Sequence, residues 1–142
     1  MIATFDRSGI RFQYPSNWKL DLEEGDEGWT AIVQSAELAF VLVSLRTDAD
    51  DATELADDAL LALREEYPEL DAQPVEAPFN GLPATGHDID FLTVDTSIVC
   101  RTRAFDSAAG PTLVMVQFSE FDREKNEPVL DAVCASMQFA TE

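Results

Sequence analysis

The fold is decided by a stretch near the N-terminus that reads Gly9-Ile10-Arg11-Phe12-Gln13-Tyr14-Pro15-Ser16-Asn17-Trp18-Lys19-Leu20. Apolar side chains alternate with polar ones from Ile10 to Tyr14 and again from Trp18 to Leu22. Alternation with a period of two is typical of strands that have one buried face. Pro15 lacks a backbone N–H and has a fixed φ, which suits a strand end or a turn. We therefore predict a β-hairpin with strands at 5–14 and 18–23, whose large side chains enter one core.

The rest of the chain predicts more strands and two helices. Asp51 and Glu54 resemble a capping box at the start of a helix that ends before Pro68. Pro128 fits the first turn of a closing helix, with an apolar stripe along one face. Further strands are predicted at 29–35, 40–46, 75–79, 85–92, 95–105 and 112–119, and helices at about 52–67 and 127–137. The run at 40–46 is almost continuously apolar, which predicts a central strand covered on both faces. This order predicts an α+β fold in which helices pack on a largely antiparallel β-sheet.

Charge and length limit the classes of function. The 142 residues include 28 acidic and 9 basic ones, for a net charge of −19, and they predict a single domain over residues 1–142. A surface this acidic repels phosphate backbones and anionic lipids, so we expect no nucleic-acid partner. The acids are scattered along the chain, which favours a role in solubility. A partner protein should present a basic or apolar surface.

The cysteines and the N-terminus indicate a reducing compartment. Cys100 and Cys134 are far apart in sequence and have no zinc-site spacing, so we expect neither a disulfide framework nor a metal site. The first residues lack the basic and apolar regions of a signal peptide. No window is apolar over the length of a membrane span. We therefore expect a cytoplasmic protein without membrane insertion.

Three short motifs resemble those of the PsbP-like superfamily, which includes PsbP, the Ran-binding Mog protein and the bacterial DcrB-like and LpqN-like proteins. The first motif is Phe12-Gln13-Tyr14-Pro15-Ser16-Asn17-Trp18, the second is Asn80-Gly81-Leu82-Pro83-Ala84, and the third is Ser136-Met137-Gln138-Phe139. Together with the order of elements, they extend the resemblance over almost the whole chain.

The resemblance implies a fold and a class of function. The fold would be the PsbP-like αβα sandwich, an antiparallel sheet between helices. The function would be non-enzymatic, namely the binding, assembly or chaperoning of another protein, as in bacterial relatives. The motifs are structural, so the resemblance transfers no catalytic residue and implies no cofactor.

His87 is the only histidine and the centre of an alternative, enzymatic interpretation. A general base needs a nucleophile within reach, for which Cys100 and Ser97 are the candidates. No motif such as Gly-x-Ser-x-Gly surrounds either residue. His87 is expected to face away from Asp88 and Asp90, so these three side chains cannot converge on one metal ion. A packing role for His87 is the simpler explanation.

Three residues are candidates for binding. Arg101 and Arg103 project from one side of a predicted strand and could contact an acidic partner or pair with internal acids. Trp29 follows a Gly-rich acidic loop, where an exposed edge position would allow it to anchor an interface. Burial of Trp29 is the alternative.

The sequence thus predicts a non-enzymatic protein-binding module, adaptor or chaperone-like. One alternative is a small-molecule-binding domain with an apolar pocket between sheet and helix, lined by residues such as Phe40, Ile89 and Phe91. Another is a hydrolase or isomerase that uses His87. The oligomeric state stays open, with a homodimer among the options.

Overall fold

The computed structural model describes residues 1–140, which form ten strands, two α-helices and one 3₁₀ turn. The strands are β1 (Ile2–Arg7), β2 (Ile10–Pro15), β3 (Lys19–Gly25), β4 (Gly28–Gln34), β5 (Phe40–Arg46), β6 (Asp71–Glu76), β7 (Thr85–Leu92), β8 (Ser97–Ser107), β9 (Gly110–Ser119) and β10 (Gln138–Phe139). The helices are α1 (Ala52–Glu66) and α2 (Arg123–Ala135), and the 3₁₀ turn spans Glu120–Asp122.

The strands form two antiparallel sheets. The large sheet has seven strands in the order β3-β4-β5-β9-β8-β7-β6, and the small sheet has three in the order β1-β2-β10. Helix α1 packs on β7, β8 and β9. Helix α2 and the small sheet cover the opposite face, which carries Val43 and Val114 as neighbours in register. The α+β architecture that the sequence predicts is confirmed.

The predicted opening hairpin is wrong in its pairing. The stretch 5–14 is not one strand, because Ser8 and Gly9 have φ values of 56° and 80° and reverse the chain between β1 and β2. Two consecutive residues with positive φ fit the tight turn of a two-residue hairpin. Pro15 does begin a turn, since the Trp18 N–H donates to the Pro15 carbonyl oxygen, but this turn leads from the small sheet into the large one.

Strand β3 also differs from the prediction, because its apolar face is not buried. Leu20 and Leu22 are 37% and 39% exposed, whereas Ile10 and Phe12 of β2 are fully buried. The cause is position: β3 is an edge strand, paired only with β4. Charged residues alternate with these leucines, as is common on edge strands, where charge discourages pairing with another chain.

Helix α1 is confirmed, together with its capping box. The Asp51 carboxylate accepts a hydrogen bond from the Glu54 N–H at 3.0 Å, and the Glu54 carboxylate accepts one from the Asp50 N–H at 3.0 Å. Helix α2, predicted from residue 127, begins earlier at Arg123. Pro128 therefore lies inside the helix rather than in its first turn. Ion pairs from Arg123 to Glu120 and Glu127 stabilise the added turn.

Two strand predictions need correction. Strand β5 is central, between β4 and β9, but its second face is only partly covered: Ser44 is buried and Leu42 packs against the α1 cluster, whereas Phe40 and Leu42 stay partly exposed. The strand predicted at 75–79 is β6 at Asp71–Glu76, and Phe79 forms only an isolated bridge with Leu82.

The three motifs of the resemblance meet in space. The Ser136 hydroxyl accepts a hydrogen bond from the Gln13 N–H at 2.9 Å, and β10 pairs with β2. The Asn80 side chain amide donates to the carbonyl oxygens of Cys134 and Met137 at 2.8 and 3.0 Å. We call this meeting point the C-terminal junction. It fixes α2 and the small sheet to the loop that precedes β7.

Candidate functional site

For Trp29 the sequence allows either an exposed edge position or burial, and the side chain is 5% exposed. Its position in β4 opposite Leu45 directs the side chain to the core face, where it packs against Phe5 with ring centroids 5.2 Å apart. The indole N–H donates to the Ser8 hydroxyl at 3.0 Å. The register therefore places Trp29 inside, which is the burial alternative, and not at the exposed edge that would allow it to anchor an interface.

Arg101 and Arg103 share one face of β8, as predicted, and both pair with acids of this chain. Arg101 contacts Glu127 of α2 at 2.8 Å, and Arg103 contacts Asp88 of β7 at 2.8 Å. The Arg101 guanidinium also lies over the Phe118 ring, 5.4 Å from its centroid. These pairs correspond to the internal role that the sequence allows. A role in binding a partner stays a prediction.

His87 lies on the α1 side of β7, directly opposite Thr102 of β8. Its Nδ1 atom is buried without a hydrogen-bond partner among residues 1–140. Cys100 is on the same face, and burial raises the pKa of its thiol to about 12. A thiol with such a pKa is protonated at neutral pH and a poor nucleophile. Ser97 pairs with Leu92 at the far end of the strand.

The titratable side chains do not form a metal site in the described part of the chain. Within residues 1–140, no three His, Cys, Asp or Glu side chains converge closely enough to hold an ion. Asp88 and Asp90 alternate with His87 along β7, so they face away from it. Both cysteines are free thiols, and burial raises the pKa of Cys134, like that of Cys100, to about 12.

A surface that the sequence does not indicate lies at one end of the large sheet. Leu38, in the β4–β5 turn, is 68% exposed, and Phe121, in the 3₁₀ turn after β9, is 89% exposed. Between them runs a groove of about 510 Å³ with a floor that includes Ile98 and Phe118. Glu37, Asp95 and Asp122 add carboxylates to its lining. We call this feature the Leu38–Phe121 groove.

Local hydrogen bonds fix the backbone of the two turns that carry these exposed side chains. The Ser35 hydroxyl accepts from the N–H groups of Glu37 and Ala39, at 3.2 and 3.1 Å, and shapes the turn that carries Leu38. Leu38 has a φ of 69°, a left-handed conformation that a leucine rarely adopts. Strained conformations of this kind are concentrated at functional sites. Packing in the core does not explain this conformation, because the Leu38 side chain is exposed to solvent.

Phe121 is held in a similar way. The Ser119 hydroxyl accepts a hydrogen bond from the Phe121 N–H at 3.0 Å and caps the 3₁₀ turn. The same hydroxyl lies 3.1 Å from the Thr96 hydroxyl in the β7–β8 turn. The 3₁₀ turn and the β7–β8 turn are thus connected, and the latter carries the fully exposed Val94.

A second cleft, of about 550 Å³, lies between the end of α1 and β7. Tyr67 and Phe91 stack at 4.1 Å between ring centroids, and Phe91 and Leu70 are nearly buried in the cleft. The cleft is also lined by four acidic residues, Glu66, Glu69, Asp71 and Asp90. We call it the Tyr67–Phe91 cleft. Of the three residues predicted to line an apolar pocket, Phe91 lines this cleft, whereas Phe40 and Ile89 do not.

The fold of this chain, though not its sequence, matches that of known proteins. No family model matches the chain, and no curated protein matches it in sequence. Solved structures do match. CyanoP, the cyanobacterial PsbP of Synechocystis, gives a TM-score of 0.60 at 14% identity, over 98% of this chain and 92% of that one. The chain has the PsbP-like fold.

Two further structures support this fold. LpqN of Mycobacterium tuberculosis, a protein involved in cell envelope biogenesis, gives a TM-score of 0.55 at 12% identity, over 99% of this chain and 91% of LpqN. PA94 of Pseudomonas aeruginosa, a protein of unknown function, gives a TM-score of 0.52 at 9% identity, over 95% of this chain and 94% of PA94.

Neither helix within residues 1–140 has the length and hydropathy needed to cross a bilayer.

Proposed function

We propose that this PsbP-like domain is a non-enzymatic protein-binding module that contacts its partner through the Leu38–Phe121 groove. The observation that carries the proposal is the exposure of Leu38 and Phe121 on turns that are fixed by the Ser35 and Ser119 hydroxyls. Turns whose backbone is already fixed lose less conformational entropy on binding than mobile loops do, which favours association. Aromatic anchors of this type are common in protein interfaces.

The charge around the groove favours a different protein over a second copy of this chain. The carboxylates of Asp95 and Asp122 line the groove without an ion pair within residues 1–140, whereas Glu37 is paired with Lys125, and the chain has a net charge of −19. Two copies would bring like charges together, which costs free energy at low ionic strength. The partner should therefore combine an apolar contact surface with Lys or Arg side chains.

A charge-matched comparison of variants tests the proposal. The test variant carries Leu38→Asp and Phe121→Asp, and the control carries Ile2→Asp and Leu61→Asp, which replace leucine and isoleucine side chains exposed elsewhere. Tagged forms of both and of the unchanged protein are used to capture partners from cells of the source organism, with quantification by mass spectrometry. We expect a partner that is retained by the control and lost by the test variant.

Two outcomes would contradict the proposal. One is a stoichiometric partner that binds the test variant and the control equally, which would place the interface elsewhere. The other is the absence of any stoichiometric partner for the unchanged protein. Circular dichroism of each variant checks that the fold is intact, which is expected because all four side chains are exposed.

A further inference from the structure

The Tyr67–Phe91 cleft adjoins the Leu38–Phe121 groove but is separate from it. The β7–β8 turn lies between them, since Leu92 and Ser97 line the cleft whereas Asp95 and Thr96 line the groove. A partner that covers the groove would therefore reach the mouth of the cleft by crossing a single turn. The following inference rests on the proposed function and specifies what the partner brings to the cleft.

The interior of the cleft is apolar and aromatic. Phe91 and Leu70 are 5% and 7% exposed, and Tyr67 stacks on Phe91. Leu92, on the wall, is 76% exposed. An apolar side chain that entered here would bury the exposed surface of Leu92, and the Tyr67 ring, which is only partly buried, would offer a face to a guanidinium or ammonium group.

All the charged side chains that line the cleft are acidic. Glu66, Glu69, Asp71 and Asp90 line the cleft, and none of them forms an ion pair within residues 1–140. The cleft also lies at the C-terminal end of α1, where the helix dipole is negative. Acids at this end of a helix are unfavourable in the free protein, so a cationic ligand would relieve two repulsions at once.

The sheet is also incomplete at this point. Strand β6 begins at Asp71, opposite Asp90, whereas β7 continues to Leu92. Phe91 and Leu92 therefore have a strand neighbour on the β8 side only. An extended segment of another chain could lie along this short edge, as peptides do when they add to a sheet.

We propose that the Tyr67–Phe91 cleft binds a short extended segment of the partner protein in which Lys or Arg adjoins an apolar residue. The apolar side chain packs on Leu92 and on the partly exposed Tyr67 ring, over the nearly buried Phe91 and Leu70. The cation lies among the carboxylates of Glu69 and Asp71. Both parts are needed, because exposed ion pairs alone contribute little binding free energy.

Three synthetic peptides test the apolar part and the cationic part of the bound segment separately. The probe is acetyl-Lys-Leu-Lys-Leu-amide, and the controls replace every lysine by glutamate or every leucine by serine. Each is titrated into ¹⁵N-labelled protein while amide chemical shifts are followed. We expect saturable shifts with the probe, concentrated at Leu70, Asp71 and Leu92. The glutamate peptide should not bind, and the serine peptide should bind at least about tenfold more weakly.

Variants then test the residues. Glu69→Gln with Asp71→Asn should weaken binding of the probe by about fivefold to tenfold, because two carboxylates lose their charge. The matched control is Glu23→Gln with Asp26→Asn, which removes the same charge at the opposite edge of the large sheet and should change affinity less than about twofold. Leu92→Ser should weaken the probe and leave the serine peptide unaffected.

Certain results would overturn the inference. Shifts scattered over the acidic surface, with equal loss in both charge variants, would indicate non-specific attraction. The absence of saturable shifts would show that the cleft does not accept such a segment. Either result leaves the proposed function standing if Leu38→Asp with Phe121→Asp still abolishes partner capture. Conversely, probe binding at the cleft without any groove-dependent partner would overturn the proposed function alone.

Discussion

At the scale of single residues, the few cations of this acidic chain act mainly on the chain itself. Glu127 connects two of them, accepting hydrogen bonds from Arg123 at 2.9 Å and from Arg101 at 2.8 Å. Both guanidinium groups lie over the Phe118 ring, at 5.4 and 5.6 Å from its centroid. These hydrogen bonds, from Arg123 first and then Arg101, lower the pKa of Glu127 below its usual range. Glu127 therefore stays ionised at a lower pH than an ordinary glutamate does.

This network predicts a pH-dependent effect of Glu127→Gln. At pH 7 the substitution should lower the free energy of unfolding by about 1 kcal/mol, since it weakens two charge-assisted hydrogen bonds at a partly buried site. Because the folded-state pKa is lowered, the carboxylate stabilises the fold above the normal glutamate pKa, and this contribution disappears as pH falls through the lowered value. The difference between the variant and the unchanged protein should therefore shrink in acid. Urea denaturation at several pH values measures it.

The control for this prediction is Asp131→Asn, an exposed carboxylate in the C-terminal half of the same helix that forms no ion pair within residues 1–140. It lowers the net negative charge equally and should leave stability unchanged or slightly higher. Equal effects of the two substitutions, or a difference that grows in acid, would contradict the account of Glu127.

At the scale of elements, the C-terminal junction explains why three distant motifs occur in one chain. Asn80 has a φ of 49°, and its amide donates to two carbonyl oxygens at the end of α2. Helix ends leave carbonyl groups without partners, and a side-chain donor satisfies them. The junction therefore determines where α2 ends and where β10 joins β2.

Substitutions of Asn80 should destabilise the fold in a defined order. Asn80→Gly keeps the left-handed backbone and removes only the donor, which should lower the free energy of unfolding by about 1–2 kcal/mol. Asn80→Asp places a carboxylate against two carbonyl oxygens and should cost more than glycine. Guanidinium denaturation curves give both values. A glycine variant as stable as the unchanged protein would show that the amide hydrogen bonds contribute nothing.

The elements also show what the sequence alone can predict. Alternation and capping signals located most strands and helix α1, because these signals depend on neighbouring residues. The partner of each strand depends on the whole sheet, so the pairing of 5–14 with 18–23 was wrong. The signal for the true turn was Ser8-Gly9, a pair that tolerates positive φ. This pair is present in the sequence, but the predicted turn rests on Pro15.

The candidate site was harder to predict for a related reason. Periodicity places Trp29 in a strand but does not say which face is covered, and the register buries it. Leu38 and Phe121 are apolar residues in short connections, flanked by Glu37 in one case and by Glu120 and Asp122 in the other. The position of Phe121 between two acids is the available signal, whereas Leu38, next to Ala39 and Phe40, gives none. Its significance appears only when the fold brings both connections to one end of the sheet.

At the scale of the whole molecule, the net charge of −19 should govern stability. Most of the acids within residues 1–140 form no ion pair, so their repulsion acts on the folded state more than on the expanded one. Salt screens this repulsion, and it also weakens the exposed ion pairs, but those pairs contribute little.

We therefore expect the melting temperature to rise with ionic strength. Between about 20 mM and about 500 mM NaCl, where the Debye length falls from roughly 20 Å to roughly 4 Å, a gain of about 1–2 kcal/mol would raise Tm by several degrees. Differential scanning calorimetry in NaCl and in KCl measures this, and equal rises in the two salts would indicate screening. A Tm that is constant or falls with salt would contradict the dominance of repulsion.

The central claim is that a partner protein covers the Leu38–Phe121 groove, and site-specific photo-crosslinking in living cells tests it most directly. Benzoylphenylalanine is introduced in place of Phe121 in one strain and in place of Leu61 in a second. Leu61 is a suitable control because it is 58% exposed on α1 and lines neither the Leu38–Phe121 groove nor the Tyr67–Phe91 cleft. The account predicts one discrete cross-linked product from position 121 and none from position 61. Products of equal pattern from both positions, or none from position 121, would contradict it.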